Sequence, residues 1–163
     1  MLCDALTDPA ADIAVRLVAR GQSLAVAESS AGGLISAALL SVPGASAYYR
    51  GGLVVYTLDG AKAMLAGATD MDPGTRGSCE PFARYLAASA AAKLDADWGV
   101  GETGATGPSG NPYGDPAGHA WLAVAGPGGY LHAEHLLTGA DDRAANMEAF
   151  AVKALQQLAA ALG

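Results

Sequence analysis

The fold is decided by the stretch Ser23-Leu24-Ala25-Val26-Ala27-Glu28-Ser29-Ser30-Ala31-Gly32-Gly33. Its first part, residues 23–27, is a short apolar run of the kind found in buried strands, and Gly32 opens an amphipathic helix. A buried strand that turns directly into a helix is the basic unit of α/β sheets. At such a junction the glycines admit a ligand close to the backbone, and the first helical N–H groups carry a positive partial charge.

Helices and strands alternate along most of the remaining chain. Thr7-Asp8-Pro9 predicts the start of a first helix, because a capping side chain precedes a proline there. The other predicted elements are a strand at 51–57, a helix at 59–66, a helix from Glu80-Pro81, a weak strand at 97–102, a Gly- and Pro-rich loop at 104–118, a strand pair at 119–125 and 130–137, and a last helix capped by Asp141 or Asp142. This pattern predicts one α/β domain over residues 1–163, a three-layer α/β/α sandwich with a mixed sheet.

Composition excludes several classes of function. The formal net charge is −7 and no Lys/Arg cluster is present, which argues against nucleic acid or an anionic membrane as partner. Only Cys3 and Cys79 are present, and no apolar run approaches the roughly 18 residues that span a bilayer, so we expect a cytoplasmic protein. No metal site is expected, because His132 and His135 lie three apart on a predicted strand and therefore face opposite sides. A small anionic ligand remains open, because a helix N-terminus and one or two cations can hold a phosphate.

The junction at residues 28–33 is the first candidate site. Ser29 at this position could attack a carbonyl while helix N–H groups stabilise the developing oxyanion. The alternative is an ordinary helix N-cap, in which Ser29 or Ser30 only satisfies the helix terminus.

A second candidate lies at Gly99-Val100-Gly101-Glu102-Thr103-Gly104, which matches the G-x-G-x-x-G dinucleotide pattern. We reject that interpretation, because the pattern requires a helix directly afterwards and the prolines from Pro108 onward forbid one. Two interpretations of residues 103–108 remain open: a nest of backbone amides that holds an anion, or a tight loop that needs glycine.

Two cations are further candidates. Arg143 is predicted in the first turn of the last helix, where the helix dipole disfavours a positive charge. Either a ligand or an ion pair with Asp141 or Asp142 would account for it. Lys62 would be a general base if it were desolvated, and is otherwise a surface lysine.

The chain resembles the CinA C-terminal domain family, known for nicotinamide-nucleotide amidase. The resemblance covers nearly the whole chain and rests on five segments in order: Ala27-Glu28-Ser29-Ser30-Ala31-Gly32-Gly33, Val42-Pro43-Gly44-Ala45-Ser46, Gly51-Gly52-Leu53-Val54-Val55-Tyr56, Gly104-Ala105-Thr106-Gly107-Pro108 and Asp142-Arg143. Each segment alone is a weak signal, but five in the same order indicate the family.

The resemblance implies hydrolysis of the carboxamide of nicotinamide mononucleotide to nicotinate mononucleotide and ammonia, as part of pyridine nucleotide salvage. It implies Ser29 as the nucleophile, with Tyr56 and Lys62 assisting proton transfer, no cofactor, and a homo-oligomer. We assign the helix start to oxyanion or phosphate binding and expect eight residues to bind the nucleotide substrate: Glu28, Ser30, Gly32, Gly33, Thr103, Gly104, Thr106 and Arg143.

The chain departs from the family pattern around this site. Ala31, Cys79 and Thr103 replace a threonine and two serines, and Lys62 follows Tyr56 by six residues rather than five. One residue on a helix is about 100° of rotation, so Lys62 reaches Ser29 only if Gly60 absorbs the extra residue. Two hypotheses follow: an amidohydrolase, or an inactive member of the family that binds a nucleotide or a protein partner.

Overall fold

The structure is a computed structural model that describes residues 2–163. Within that range the chain forms five α-helices and five β-strands. In chain order these are α1 (Asp4–Arg20), β1 (Leu24–Glu28), α2 (Leu34–Leu40), β2 (Tyr49–Val54), α3 (Leu58–Met64), α4 (Glu80–Lys93), β3 (Trp98–Ala105), β4 (His119–Gly126), β5 (Tyr130–Leu137) and α5 (Arg143–Leu162). Short 3₁₀ helices occupy Ala45–Ala47 and Pro127–Gly129.

The five strands form one mixed sheet in the order β2-β1-β3-β4-β5. Strand β1 is parallel to β2 and β3, whereas β4 is antiparallel to both of its neighbours. In the parallel register Glu28 at the end of β1 pairs with Glu102 of β3. Paired residues of neighbouring strands project from the same face of a sheet, so these two carboxylates are neighbours.

Helices cover both faces of the sheet, as the alternation of side chains in β1 requires. Leu24 and Val26 are fully buried against α1, α2 and α5, while Ala25 and Ala27 are fully buried against α3 and α4. The predicted three-layer α/β/α sandwich with a mixed sheet is therefore confirmed.

Two glycines of β3 allow α4 to lie directly on the sheet. A Cβ at Gly99 would stand 2.0 Å from the carbonyl oxygen of Ala87, and one at Gly101 would stand 2.2 Å from that of Ala83. Both distances are far below van der Waals contact. The glycine spacing that imitates a dinucleotide motif therefore serves helix-to-sheet packing.

The first helix begins earlier than predicted. It starts at Asp4 after an extended Cys3, and Pro9 lies inside it, so the start predicted at Thr7-Asp8-Pro9 is wrong. The additional turn buries Leu6, which is 2% exposed, in the core shared with α5. Burial of that side chain outweighs the hydrogen bond that the proline cannot donate.

The middle of the chain shows two further differences at strand ends. Strand β3 continues through Gly104 to Ala105, because these residues pair with Ala120 and His119 of β4. Strand β2 ends at Val54, which leaves Tyr56 in the connection to α3.

The predicted β4–β5 hairpin is confirmed, and of the two candidate caps of the last helix it is Asp142 that accepts the N–H of Ala145. No helix within residues 2–163 combines the length and apolarity needed to cross a membrane.

Candidate active site

Ser29 follows the last residue of β1, at the end of the sheet where β2 also stops and β3 continues to Ala105. Its side chain is 8% exposed and lines a cavity of about 520 Å³. Its backbone N–H donates to the Glu102 carbonyl oxygen at 3.1 Å and to Glu102 Oε2 at 3.0 Å. Among residues 2–163 no hydrogen bond engages the Ser29 hydroxyl, so the interpretation of Ser29 as a helix cap does not hold.

Glu102 holds the turn that carries Ser29. Its carboxylate is fully buried, and Oε2 accepts the N–H groups of Ser29 at 3.0 Å and Ala31 at 2.8 Å. Oε1 accepts the hydroxyl of Ser30. Burial raises the pKa of the Glu102 carboxyl from 4.5 to about 7; the three hydrogen bonds oppose this rise, and the neighbouring Glu28 adds to it.

Glu28 holds the start of α2 in the same way. Its Oε2 accepts the N–H groups of Gly33 at 2.9 Å and Ile35 at 3.1 Å, and its Oε1 accepts the N–H of Ser36 at 3.0 Å and the Ser36 hydroxyl at 2.6 Å. The carboxylate is fully buried and does not line the cavity.

These two carboxylates correct the expectation that the helix start is open to a ligand. The N–H of Gly33 is bound to Glu28, and the N–H of Gly32 donates to the Ser29 carbonyl at 3.2 Å. Because Glu28, Ser30, Gly32 and Gly33 lie outside the cavity lining, they shape the turn rather than contact a ligand through their side chains. Of the N–H groups of residues 29–33, only that of Ser30 has no acceptor within the described chain.

Five of the predicted residues meet at the cavity: Ser29, Tyr56, Lys62, Thr103 and Gly104. The lysine reaches it although it follows Tyr56 by six residues. Helix α3 begins only at Leu58, where the Thr57 side chain caps it by accepting the N–H of Gly60 at 3.0 Å. Lys62 then lies one turn after Asp59, and both side chains line the cavity.

Arg143 connects three segments around Tyr56. It is the first residue of α5, and its guanidinium donates to the Gly107 carbonyl and to the Tyr56 hydroxyl, both at 2.9 Å. No ion pair joins Arg143 to Asp141 or Asp142 in the described chain, so that alternative is wrong. Since the phenol oxygen accepts a hydrogen bond from Arg143, its own hydrogen is left to donate elsewhere.

The end of β3 supplies the opposite wall. The Thr103 hydroxyl oxygen accepts the N–H of Ser78 at 3.1 Å, and the Gly104 carbonyl accepts the Ser78 hydroxyl at 3.0 Å. A Cβ at Gly104 would lie 2.5 Å from the His119 carbonyl oxygen, so this glycine serves a close approach within the sheet rather than an amide nest. Thr106 lies outside the cavity lining and is 3% exposed.

Three residues of this site escaped the sequence prediction. Glu102 carried a usable signal, because a strand at 97–102 aligned with β1 places it opposite Glu28. Ser78 lines the cavity from a stretch for which no element is predicted, Tyr113 lines it from the Gly- and Pro-rich loop, and no local pattern distinguishes them.

Comparison with known proteins places this architecture among relatives. The "CinA-like protein" of Anaeromyxobacter sp. (strain Fw109-5) is 38% identical over 147 residues, which are 90% of this chain and 36% of that protein. The "CinA-like protein" of Gloeobacter violaceus is 42% identical over 116 residues, which are 71% of this chain and 27% of that protein. The chain thus spans about a third of the length of the curated relatives it matches.

Solved structures agree over the whole fold. The competence/damage inducible protein CihA from Agrobacterium tumefaciens superposes with a TM-score of 0.89 at 29% identity, covering 99% of this chain and 98% of that one. A competence-damaged protein (CinA) superfamily protein from Escherichia coli gives a TM-score of 0.86 at 27% identity, covering 97% of this chain and 92% of that one. Residues 6–162 match the family model described as CinA C-terminal domain, and the chain therefore belongs to the CinA C-terminal domain family.

Proposed function

We propose that this protein is an amidohydrolase that deamidates nicotinamide mononucleotide to nicotinate mononucleotide and ammonia, with Ser29 as the nucleophile. The observation that carries the proposal is the unengaged Ser29 hydroxyl in a cavity that Lys62 and Tyr56 also line. An amide resists attack by an ordinary alcohol, so the hydroxyl needs a base and the developing oxyanion needs a donor.

The reaction divides into two halves. In the first, Lys62 in its unprotonated form accepts the hydroxyl proton while Ser29 Oγ bonds to the carboxamide carbon. The C–N bond then breaks, the nitrogen takes a proton from the lysine, and ammonia leaves an ester on Ser29. In the second, a water attacks that ester with Lys62 again as base, which releases the carboxylate and restores the serine.

Oxyanion donors come from two groups left free by the internal hydrogen bonds. One is the N–H of Ser30, next to the nucleophile. The other is the Thr103 hydroxyl, whose oxygen already accepts from Ser78 so that its hydrogen points away from that contact. Tyr56, held by Arg143, supplies a third donor near the leaving group.

Ammonia release from nicotinamide mononucleotide by the purified protein tests the proposal. We expect Ser29→Ala and Lys62→Ala to abolish release, because each removes a group that the first half requires. Ser109→Ala and Lys153→Ala are matched controls outside the cavity and should retain wild-type rates.

A failure of this experiment would be informative. No release by the wild type, together with a ligand-dependent rise in melting temperature, rejects the amidase and supports an inactive nucleotide-binding member of the family. Full release by Ser29→Ala rejects the serine mechanism.

The homo-oligomer and the cytoplasmic location belong to this proposal too. Light scattering after size exclusion measures the oligomeric state, and cell fractionation measures the location.

A further inference from the structure

Tyr113 is an exposed aromatic residue at the cavity that the reaction steps above do not use. It lies in the segment between β3 and β4, its side chain is 47% exposed, and it lines the same cavity as Ser29. Two other aromatic residues line this cavity: Tyr56, which is 65% exposed and already serves the proposed reaction, and Phe82, which is 3% exposed and stacks on Tyr85. Tyr113 therefore offers far more ring surface to a ligand than Phe82 does.

The backbone that carries Tyr113 is fixed by a polar network. Asn111 Oδ1 accepts the N–H groups of Tyr113 and Asp115, both at 3.1 Å. Asn111 Nδ2 donates to Asp115 Oδ2 at 2.9 Å, so one side chain closes the whole turn. Such a network fixes the backbone from which the ring projects.

The ring itself rests on a cation. The Arg76 guanidinium carbon lies 4.9 Å from the Tyr113 ring centroid. Arg76 is held there by two hydrogen bonds to Asp115, at 2.6 and 3.2 Å, and by one to the Gly77 carbonyl at 3.1 Å. These bonds to Arg76 hold the pKa of Asp115 below its usual range, so the pair is ionised at neutral pH.

One face of the ring is thus covered by Arg76, while nearly half of the side chain stays in contact with solvent at the cavity. This arrangement contributes little to folding, since an exposed cation–π contact is weak and about half of the burial that normally stabilises an aromatic residue is missing. The same arrangement is well suited to a flat ligand, because the ordering of the side chain is complete before binding.

We propose that Tyr113 is the residue that determines specificity for the acyl part of the substrate, by stacking on a planar six-membered aromatic ring that bears the carboxamide. This inference rests on the proposed function, and it adds the residue that recognises the aromatic ring of that substrate. The Arg76–Asp115 pair and Asn111 are positioning groups that act through Tyr113.

Binding separates this inference from the chemistry. We compare calorimetric titrations of nicotinamide mononucleotide into three proteins: Ser29→Ala, Ser29→Ala with Tyr113→Ala, and Ser29→Ala with Tyr113→Phe. Loss of the ring is expected to raise the Kd about tenfold, whereas the Phe variant should stay close to the parent. Tyr130→Ala, another exposed tyrosine outside this cavity, is the matched control and should change nothing.

The outcomes distinguish the two proposals. A Tyr113→Ala variant that binds within twofold of its parent, or a parent that does not bind at millimolar concentration, overturns the stacking role. Ammonia release by the wild type with a KM that Tyr113→Ala leaves unaltered overturns the stacking role alone. Binding that depends on Tyr113 without any ammonia release supports the stacking role and rejects the amidase.

Discussion

Replacing Glu102 by Gln probes the most unusual group in the molecule, a buried carboxyl that touches no cation in residues 2–163. Its two oxygens have different partners: Oε2 receives two N–H groups, whereas Oε1 receives only the Ser30 hydroxyl. A hydroxyl can reverse its role and accept instead of donate. A Gln amide nitrogen in the place of Oε1 therefore keeps every contact, as does a protonated Glu102.

The magnitude follows from the pKa. The carboxyl titrates at about 7 in the folded protein and near 4.5 when unfolded, so between these values the folded state holds a proton that the unfolded state has released. The stabilisation is complete below pH 4.5 and is lost as the pH rises through 7, at about 1.4 kcal/mol per pH unit. The wild type should lose about 3 kcal/mol over this window from Glu102, and the Gln variant should lose none of it.

Urea unfolding followed by far-UV circular dichroism at pH 5 and pH 8 measures this difference. We expect the two proteins to be similar at pH 5 and the Gln variant to be more stable by about 3 kcal/mol at pH 8. All other titrating groups are common to both proteins. A difference that does not change with pH, or a variant less stable than the wild type at pH 8, would refute the reasoning.

Glu28→Gln is the matched control. Both oxygens of Glu28 accept backbone N–H groups. The amide nitrogen of Gln, in place of either oxygen, would therefore point its own hydrogens at an N–H donor and lose that hydrogen bond. This variant should be less stable by about 1–3 kcal/mol at both pH values.

Three further predictions test the packing and the site. Gly101→Ala places a methyl group 2.2 Å from the Ala83 carbonyl oxygen. The variant should therefore lose about 3 kcal/mol of unfolding free energy in thermal unfolding, or fail to fold. A wild-type melting temperature would contradict the close approach. Asp142→Ala removes the cap of α5 and should cost about 1 kcal/mol in urea unfolding, with Asn in its place recovering most of the loss. Arg143→Ala frees the Tyr56 hydroxyl and should lower kcat/KM for ammonia release about tenfold. Arg143→Lys should restore only part of this activity, because an ammonium group does not match the planar guanidinium that bridges two acceptors. Unchanged kinetics would show that this bridge is irrelevant to turnover.

The strand–turn–helix unit and the mixed sheet could be predicted, because local patterns define them. The apolar run before Ser29, the hairpin around residues 127–129 and the capping aspartate of α5 each determine their structure within a few residues. The start of α1 could not be placed in this way. There the burial of Leu6, a tertiary effect, outweighs the local preference of Pro9 for a first turn.

The resemblance allows the cavity residues to be anticipated, namely Ser29, Tyr56, Lys62 and Thr103. It does not reveal that the carboxylates of Glu28 and Glu102 hold the turn around Ser29. Ser29 and Glu102 are 73 residues apart, and only the register of β1 and β3 brings the carboxylate to the turn. A reader of the sequence who does not know this register would conclude that the N–H groups at the start of α2 are available to a ligand. The glycine spacing in β3 is equally ambiguous, since the same G-x-G-x-x-G pattern is compatible with a phosphate-binding loop and with close packing of a helix against a strand.

That contact between α4 and β3 has a consequence for how a ligand enters. Only glycine hydrogens separate the helix from the strand, so there is no layer of side chains on which one could slide over the other. Phe82 belongs to the helix and Thr103 to the strand, and these two walls must therefore move as one rigid body. Opening of the cavity mouth is left to α3, because the turn that carries Tyr113 is held by Asn111 and Asp115, and substitutions that alter the rate of ligand entry should be sought in α3.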